Sequence, residues 1–410
     1  MLRSMLSGVS GLRTHQTRMD VIGNNIANVN TVAFKGSRVN FQEIFSQTLN
    51  PASSPANGRG GSNPTQVGLG VSLATIDVLH TNGSTQVTDK ATDLSIDGDG
   101  FFVVSNGSSR FYTRAGNLDL DQMGNLVHPS GLLVMGWMND PASNEITTTG
   151  EPQAINLANL SMPPQATTKV TFEGNLDDRL GVGESVPYTV SVFDAKGREH
   201  KLTYTFEKIA GNEWQYTVSA PAGLTAASGA TGTISFDSRG RVASTDMPQL
   251  VITFDDGNTV DLNIQTSVTA EKFTQYSAEG NLKAAEVDGY KSGTLNQIQI
   301  DSNGCIIGIY SNGMYRIDAV LALASFTNPA GLEKIGDNLF AMSTNSGPAY
   351  LGTAGQDGRG TINPGTLEMS NVDLAKEFTD MITTQRGFQA NSRIITTSDE
   401  MLQELVNLKR

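Results

Sequence analysis

Cysteine is almost missing: Cys305 is the one thiol in 410 residues. A lone cysteine rules out an intrachain disulfide. Its neighbours, Gly304 and the apolar run IIGIY, give it the surroundings of a small buried hydrophobe. The four histidines (His15, His80, His128, His200) offer it no nearby catalytic partner. Charge is also sparse, at 17% of residues, with a net value of −13 and no cluster of Lys and Arg. That balance argues against binding a nucleic-acid backbone. No apolar run approaches transmembrane length, which argues against membrane insertion. The N-terminal MLRSMLSGVSGLRTHQ is broken by polar residues at every third or fourth position, so it lacks the apolar core of a cleaved signal. No Walker A, GxGxxG, GxSxG or HExxH motif occurs. DGDG (97–100) and DLDQMG (119–124) look like pieces of calcium loops, but neither has the acidic ligand twelve positions from the first. Trp137 and Trp214 read as core residues. The sequence therefore points to no enzyme, no cofactor and no metal.

What is abundant is glycine, with 43 residues, alongside Ser, Thr and Asn. That composition leans toward β structure with many tight turns. The length suits two or three domains. Runs such as YTVSVF (188–193), LTYTF (202–206), WQYTV (214–218), LVITF (250–254) and VDLNI (260–264) alternate apolar and polar residues, as half-buried strands do. One turn recurs, apolar-Asp-x-x-Gly, at 120–124, 193–197, 236–240 and 300–304. Its Asp can bond the turn backbone, and its Gly supplies the left-handed residue of a three-residue hairpin with a bulge.

The two ends differ from this β body. Leu2, Met5, Val9, Leu12, Gln16, Met19, Gly23 and Ile26 follow 3-4 spacing, the seam of a coiled coil. Leu374, Phe378, Met381, Gln385, Phe388, Ser392, Ile395, Asp399, Leu402 and Val406 keep the same spacing near the C-terminus. Ser370-x-x-Asp373 is expected to open that helix as a capping box, and Lys409 and Arg410 to close it. Gly8, Gly11 and Gly23 weaken the first helix in isolation. Both helices also carry apolar residues off the seam: Leu6, Val21 and Ile22; Ile382, Ile394, Met401 and Leu405. A second apolar face needs a second neighbour. The ends are therefore expected to pair with each other and to assemble with copies of the same ends.

The expected fold is mainly β with a coiled-coil pair of terminal helices, in a nested plan. Residues 1–28 and 371–410 form the helical polymerisation domain, and 29–71, rich in Pro, Gly, Ser and Asn, an extended linker. Residues 72–150 with 283–370 form a discontinuous β domain, and 151–282 an inserted outer β sandwich or barrel. The stretch NNIANVN holds Asn24, Asn25, Asn28 and Asn30. Asparagine tolerates left-handed backbone and bonds local peptide groups, so these residues are expected to end the first helix, turn the chain and contact neighbouring copies.

Long motifs at both ends resemble the flagellar rod and hook family. They are SGLRTHQTRMDVIGNNIANVNTVAFKGSR near the N-terminus and EMSNVDLAKEFTDMITTQRGFQANSRIITTSDEMLQELVNLKR (368–410). DLSIDGDGFFVV (93–104) and FYTRAGNLDLDQMGNLVHPSG (111–131) resemble the β core these relatives share. VTFEGNLDDRL (170–180), YTVSVFDAKGREHKLTYTF (188–206) and SFTNPAGLEKIGDNLFAMSTNSG (325–347) are similar to the hook branch, whose large central module the rod branch lacks. The resemblance implies a structural subunit of a curved tube that transmits torque. It implies terminal helices lining a channel, partners at the distal rod, the cap and the filament junction, and an extracellular location. Export would go through the flagellar type III apparatus without cleavage. The Phe41-x-x-x-Phe45 spacing resembles an export-recognition motif of the family; two apolar residues on one helical turn is the plain alternative. A distal-rod subunit and, less consistent with the ends, a surface adhesin are the rival readings.

Overall fold

The computed structural model describes residues 2–52, 54, 60–140, 146–158, 160–221, 224–254 and 262–407. Lys409 and Arg410 fall outside the described residues, as do the side chains of Leu2 and Leu405. Helix α1 spans Leu2–Ala27 and helix α2 spans Leu374–Asn407, with strands between them. At 1.5 Å per residue α2 is roughly 50 Å long.

The start of α2 departs from the expected capping box. Asp373 is itself the cap: its Oδ1 accepts the backbone N–H groups of Ala375 and Lys376 at 2.9 and 3.3 Å. Ser370 Oγ accepts only from Val372 N, at 3.3 Å. The intervening Asn371 is bonded elsewhere, accepting from Gly36 N and donating to Leu79 O, which holds the chain out of the helix until Asp373.

The chain forms two compact units. The first comprises Met1–Ala158, Ile298–Ile307 and Ile317–Arg410, and the second Asn159–Gln297 and Gly308–Arg316. The second therefore reaches past the expected 282, because strand Lys283–Val287 pairs antiparallel with Lys169–Asp177 inside it.

In the first unit, β1 (Ser37–Glu43) pairs antiparallel with β4 (Val71–Val78), and β2 (Ser46–Asn50) pairs with β3 (Thr65–Gly68). The segment expected as a linker thus holds paired strands. Its turn-rich middle hid flanks such as SQTLN and TQVG, which are competent to pair. The unit's β core orders strands Leu133–Met138, Phe101–Ser105, Arg110–Thr113, Leu339–Ala341 and Glu333–Gly336. FFVVS at its centre is buried on both faces, which explains its unbroken apolar run. Phe101, Val103, Tyr112, Trp137, Phe326 and Phe340 pack into one cluster there.

The second unit is a sandwich. One five-stranded sheet runs Leu224–Ser228, Leu250–Phe254, Leu262–Tyr276, Lys169–Asp177, Lys283–Val287. The other runs Ser185–Phe193, Glu199–Ala210, Glu213–Ser219, Thr231–Phe236, Val242–Asp246. Alternation puts Tyr204, Phe206, Trp214 and Tyr216 on the inner face against Phe172 and Phe273. Phe172 meets Tyr204 edge-on with ring centroids 4.8 Å apart.

The recurrent Asp-x-x-Gly turn has one geometry at all four sites. The glycines Gly124, Gly197, Gly240 and Gly304 have φ of +75, +79, +73 and +78°, and each donates its N–H to the Asp carbonyl at 2.9–3.1 Å. Each Asp Oδ1 accepts the backbone N–H four residues on, as Asp237 does from Arg241 and Asp301 from Cys305, both at 2.8 Å. The Asn125 side chain and then its N–H hold the Asp121 carboxyl below the usual range, and the Arg241 N–H does so for Asp237; at Asp194 burial pushes upward, but the Arg198 side chain and N–H lower it further.

Candidate assembly interface

Helices α1 and α2 pack antiparallel. A Cβ on Gly8 would lie 3.2 Å from Ile395, one on Gly11 2.7 Å from Asn391, and one on Gly387 2.7 Å from the His15 ring. Further along, Arg18 pairs with Asp380 at 3.0 Å and Asn25 donates to Glu377 at 3.2 Å. Burial raises the Glu377 carboxyl above its usual range, and nearby Asp380 adds to the rise.

This seam lies one position away from the one expected. It consists of small and polar residues: Gly8, Gly11, Thr14, Thr384, Gly387, Asn391 and Ser398, with Ile22 and Ile395. Of the expected seam, Ile395 lines it. Met5, Leu12, Met19, Ile26, Met381, Phe388 and Leu402 are half-buried, while Val9, Leu374 and Phe378 are exposed. The physical reason is size. Helices approach closely where side chains are small, so the glycine-bearing face was taken by the intrachain partner and the bulky stripe turned away. Gly8 and Gly11 are contact points here, not merely weak helix formers.

The outward faces are strongly apolar. Leu6 is 65% exposed on α1, and Phe378 and Ile382 are 50% and 58% exposed on α2. Leu374, Phe378 and Ile382, at i, i+4 and i+8, form a stripe on the first half of α2; Ile394, Met401 and Val406 are exposed on its second half. Contiguous apolar surface of this kind marks an interaction site.

The asparagine stretch anchors the pair. Asn24 and Asn25 lie inside the last turn of α1, so they do not end it as expected. The left-handed residue of the following turn is Ala33, at φ 57°, and not an asparagine. Asn25 is buried; it donates to Ser37 O at 2.8 Å and accepts from Ser37 N at 3.0 Å, tying α1 to β1. Asn28 caps locally, donating to Asn24 O at 2.9 Å and accepting from Thr31 Oγ1. Asn24 is exposed.

A buried charge cluster, missed in the sequence, lies next to it. Lys35 Nζ meets Glu368 Oε1 at 2.6 Å with both side chains essentially inaccessible. Glu368 also accepts from Gly83 N at 2.9 Å and lies 3.6 Å from Arg114 Nη1. Burial lowers the Lys35 and Arg114 proton affinities, and Glu368 opposes the change in both. His80 lies within the field of Lys35, Arg114 and Lys334; burial first and those charges second push it down to about 4. Together Asn25, Lys35, Glu368 and Asn371 clasp the exit of α1 to the approach of α2. The only sequence signals were a lone Lys in VAFKG and a lone Glu in GTLEM.

Phe41 sits in strand β1, half-buried, and Phe45 follows that strand, 66% exposed. The helical-turn alternative for this pair does not apply, because the backbone is extended there. Among the described residues no group of three His, Cys, Asp or Glu gathers as a metal site, and no helix is long and apolar enough to cross a membrane.

Four family models match the chain in sequence order. They are the flagella basal body rod protein over 5–35, the flagellar hook protein FlgE/F/G D1 domain over 95–175, the flagellar basal body protein FlaE D2 domain over 184–290, and the flagellar basal body rod FlgEFG protein C-terminal over 363–408. The flagellar hook protein FlgE of Borreliella burgdorferi is 43% identical, with 100% of each chain covered. That of Treponema pallidum is 41% identical, also over 100% of each. The crystal structure of Helicobacter pylori flagellar hook protein FlgE2 matches with a TM-score of 0.51 at 16% identity, covering 68% of this chain and 99% of that one, a likeness of fold.

Proposed function

Because the chain belongs to the flagellar hook protein family, we propose that it is the hook's structural subunit, self-assembling through its terminal helices into a curved tube that passes motor torque to the filament. The observation that carries the assembly route is the outward apolar stripe of α2, Leu374, Phe378 and Ile382, together with exposed Leu6 and Val9 near the other end of the helix pair. Its burial between copies would stabilise each contact by about 25 cal/mol per Å² of apolar surface removed from water. The small-residue seam keeps the two helices together while leaving that stripe free.

In this reading the helix pair, residues 1–28 with 371–410, builds the inner tube. The strands of 29–71 join it to the β domain of 72–150 with 283–370, and the central module is inserted in sequence between the two halves of that domain. Met5, Leu12, Met19, Ile26, Met381, Phe388 and Leu402 support the contacts from their half-buried positions, with Asn24 and Asn28 presented at the helix end. The distal rod, the cap and the filament junction protein are the partners at the tube's ends. The subunit leaves the cell through the type III apparatus, with Phe41 and Phe45 as the export-recognition pair. The rod reading draws on ends that match rod-protein models, but the hook-protein relatives, matched over the whole chain at 43% and 41% identity, favour the hook.

The test is the double variant Phe378→Ser, Ile382→Ser. The purified subunit should keep its circular dichroism and thermal midpoint, yet form no tubes and restore no motility. Normal hooks from this variant would overturn the assembly route.

A further inference from the structure

His15 is the one side chain of α1 that occupies the notch left by Gly387, where a Cβ would come 2.7 Å from the ring. Its ring also stands edge-on to Phe41 of β1, with centroids 5.8 Å apart at 81°. One imidazole therefore touches three elements: α1, α2 and β1. Arg18, one turn along α1, lies over the same Phe41 ring at 6.0 Å and is held by Asp380 at 3.0 Å. His15 Nδ1 is buried and has no hydrogen-bond partner among the described residues. Arg18 in turn lines a cavity of about 170 Å³ with Lys376, Glu377 and Asp380 on α2 and Arg38 on β1.

We propose that His15 is an acid-sensitive latch that holds the helix pair on the β1–β4 ribbon when neutral and releases it when protonated. In the seated position a proton on the ring would leave a buried N–H without an acceptor and set a second cation beside Arg18 on the same phenyl ring. Asp380, the carboxylate beside Arg18, is already engaged by it. The strain is relieved only when the ring leaves the notch and meets water. Burial, and then Arg18, lower the proton affinity of the seated ring, in keeping with this preference.

Hydrogen exchange of the full-length subunit, corrected for the intrinsic pH dependence of exchange, tests the latch. In the wild-type chain the opening of residues 12–19 and 38–43 should rise about tenfold from pH 7.5 to 5.0, since a released histidine titrates near 6.5. In His15→Gln and in His15→Phe the same segments should show no such rise, while Glu377→Gln should retain it. A wild-type chain whose exchange there stays flat between these pH values overturns the proposal without recourse to any variant. An equal rise in wild type and both His15 variants overturns it as well.

Discussion

Lys35 and Glu368 lie 333 positions apart in sequence and 2.6 Å apart in space. Removing one partner leaves an uncompensated charge out of water, so Glu368→Gln should cost about 3–5 kcal/mol in thermal unfolding. The paired change Lys35→Met, Glu368→Leu should cost less, because it strands one buried cation, Arg114, where the single change strands two. A single variant no worse than the double would show that the pair does not anchor the fold. His80 gives a pH dependence of defined sign. Its proton affinity is depressed in the folded state to about 4, below the ordinary 6.5, so the unfolded chain binds the extra proton. The stability it contributes is complete above about pH 6.5, falls as pH drops toward 4, and changes no further below that. Replacing His80 with Phe, which matches the rings of Phe101 and Phe340 it touches at 5.7 and 5.4 Å, should shrink the loss of thermal midpoint between pH 7 and 4.5. None of these roles was legible in the sequence. A lone Lys, Glu or His shows its charge but not its partner when that partner is hundreds of residues away.

Elements divide into those fixed locally and those fixed by packing. The Asp-x-x-Gly turns belong to the first kind: the aspartate's acceptor and the glycine's left-handed φ lie within five residues, so the sequence pattern and the observed turns agree. Gly240→Ala should therefore destabilise the second unit by about 1–3 kcal/mol, through strain at φ +73° and a clash with the carbonyl of Gln275. An unchanged denaturation midpoint would contradict that account. The helices belong to both kinds. Their existence and approximate ends followed from 3-4 spacing, but the face each turns inward did not. Heptad reading selects the stripe that most needs burial. The folded subunit buries the stripe that fits most closely, and Gly11 with Asn391 shows why. Enlarging that contact with Gly11→Leu should push Asn391 aside and loosen the pair by about 1–3 kcal/mol, seen as faster exchange in α1. The strands of 29–71 escaped notice because Pro, Gly and Ser dominate the average over that segment while its two flanks pair.

At the scale of the whole chain, the nested plan of ends with ends and a β module between was readable, because the end motifs are long and the β runs alternate cleanly. The limits of the module were not, since strand Lys283–Val287 joins the sandwich by pairing across more than a hundred residues. Removing the module in frame, from 159 to 297, should leave the subunit exported while altering hook stiffness or curvature, as measured by electron microscopy of isolated hooks. Hooks of unchanged shape and bending would remove the module from the mechanical account. The central claim, that this chain builds the hook, is tested most directly by imaging basal bodies from cells lacking its gene. The account predicts intact rings and a complete rod with the curved segment and filament gone; a missing distal rod, or an intact hook, would contradict it.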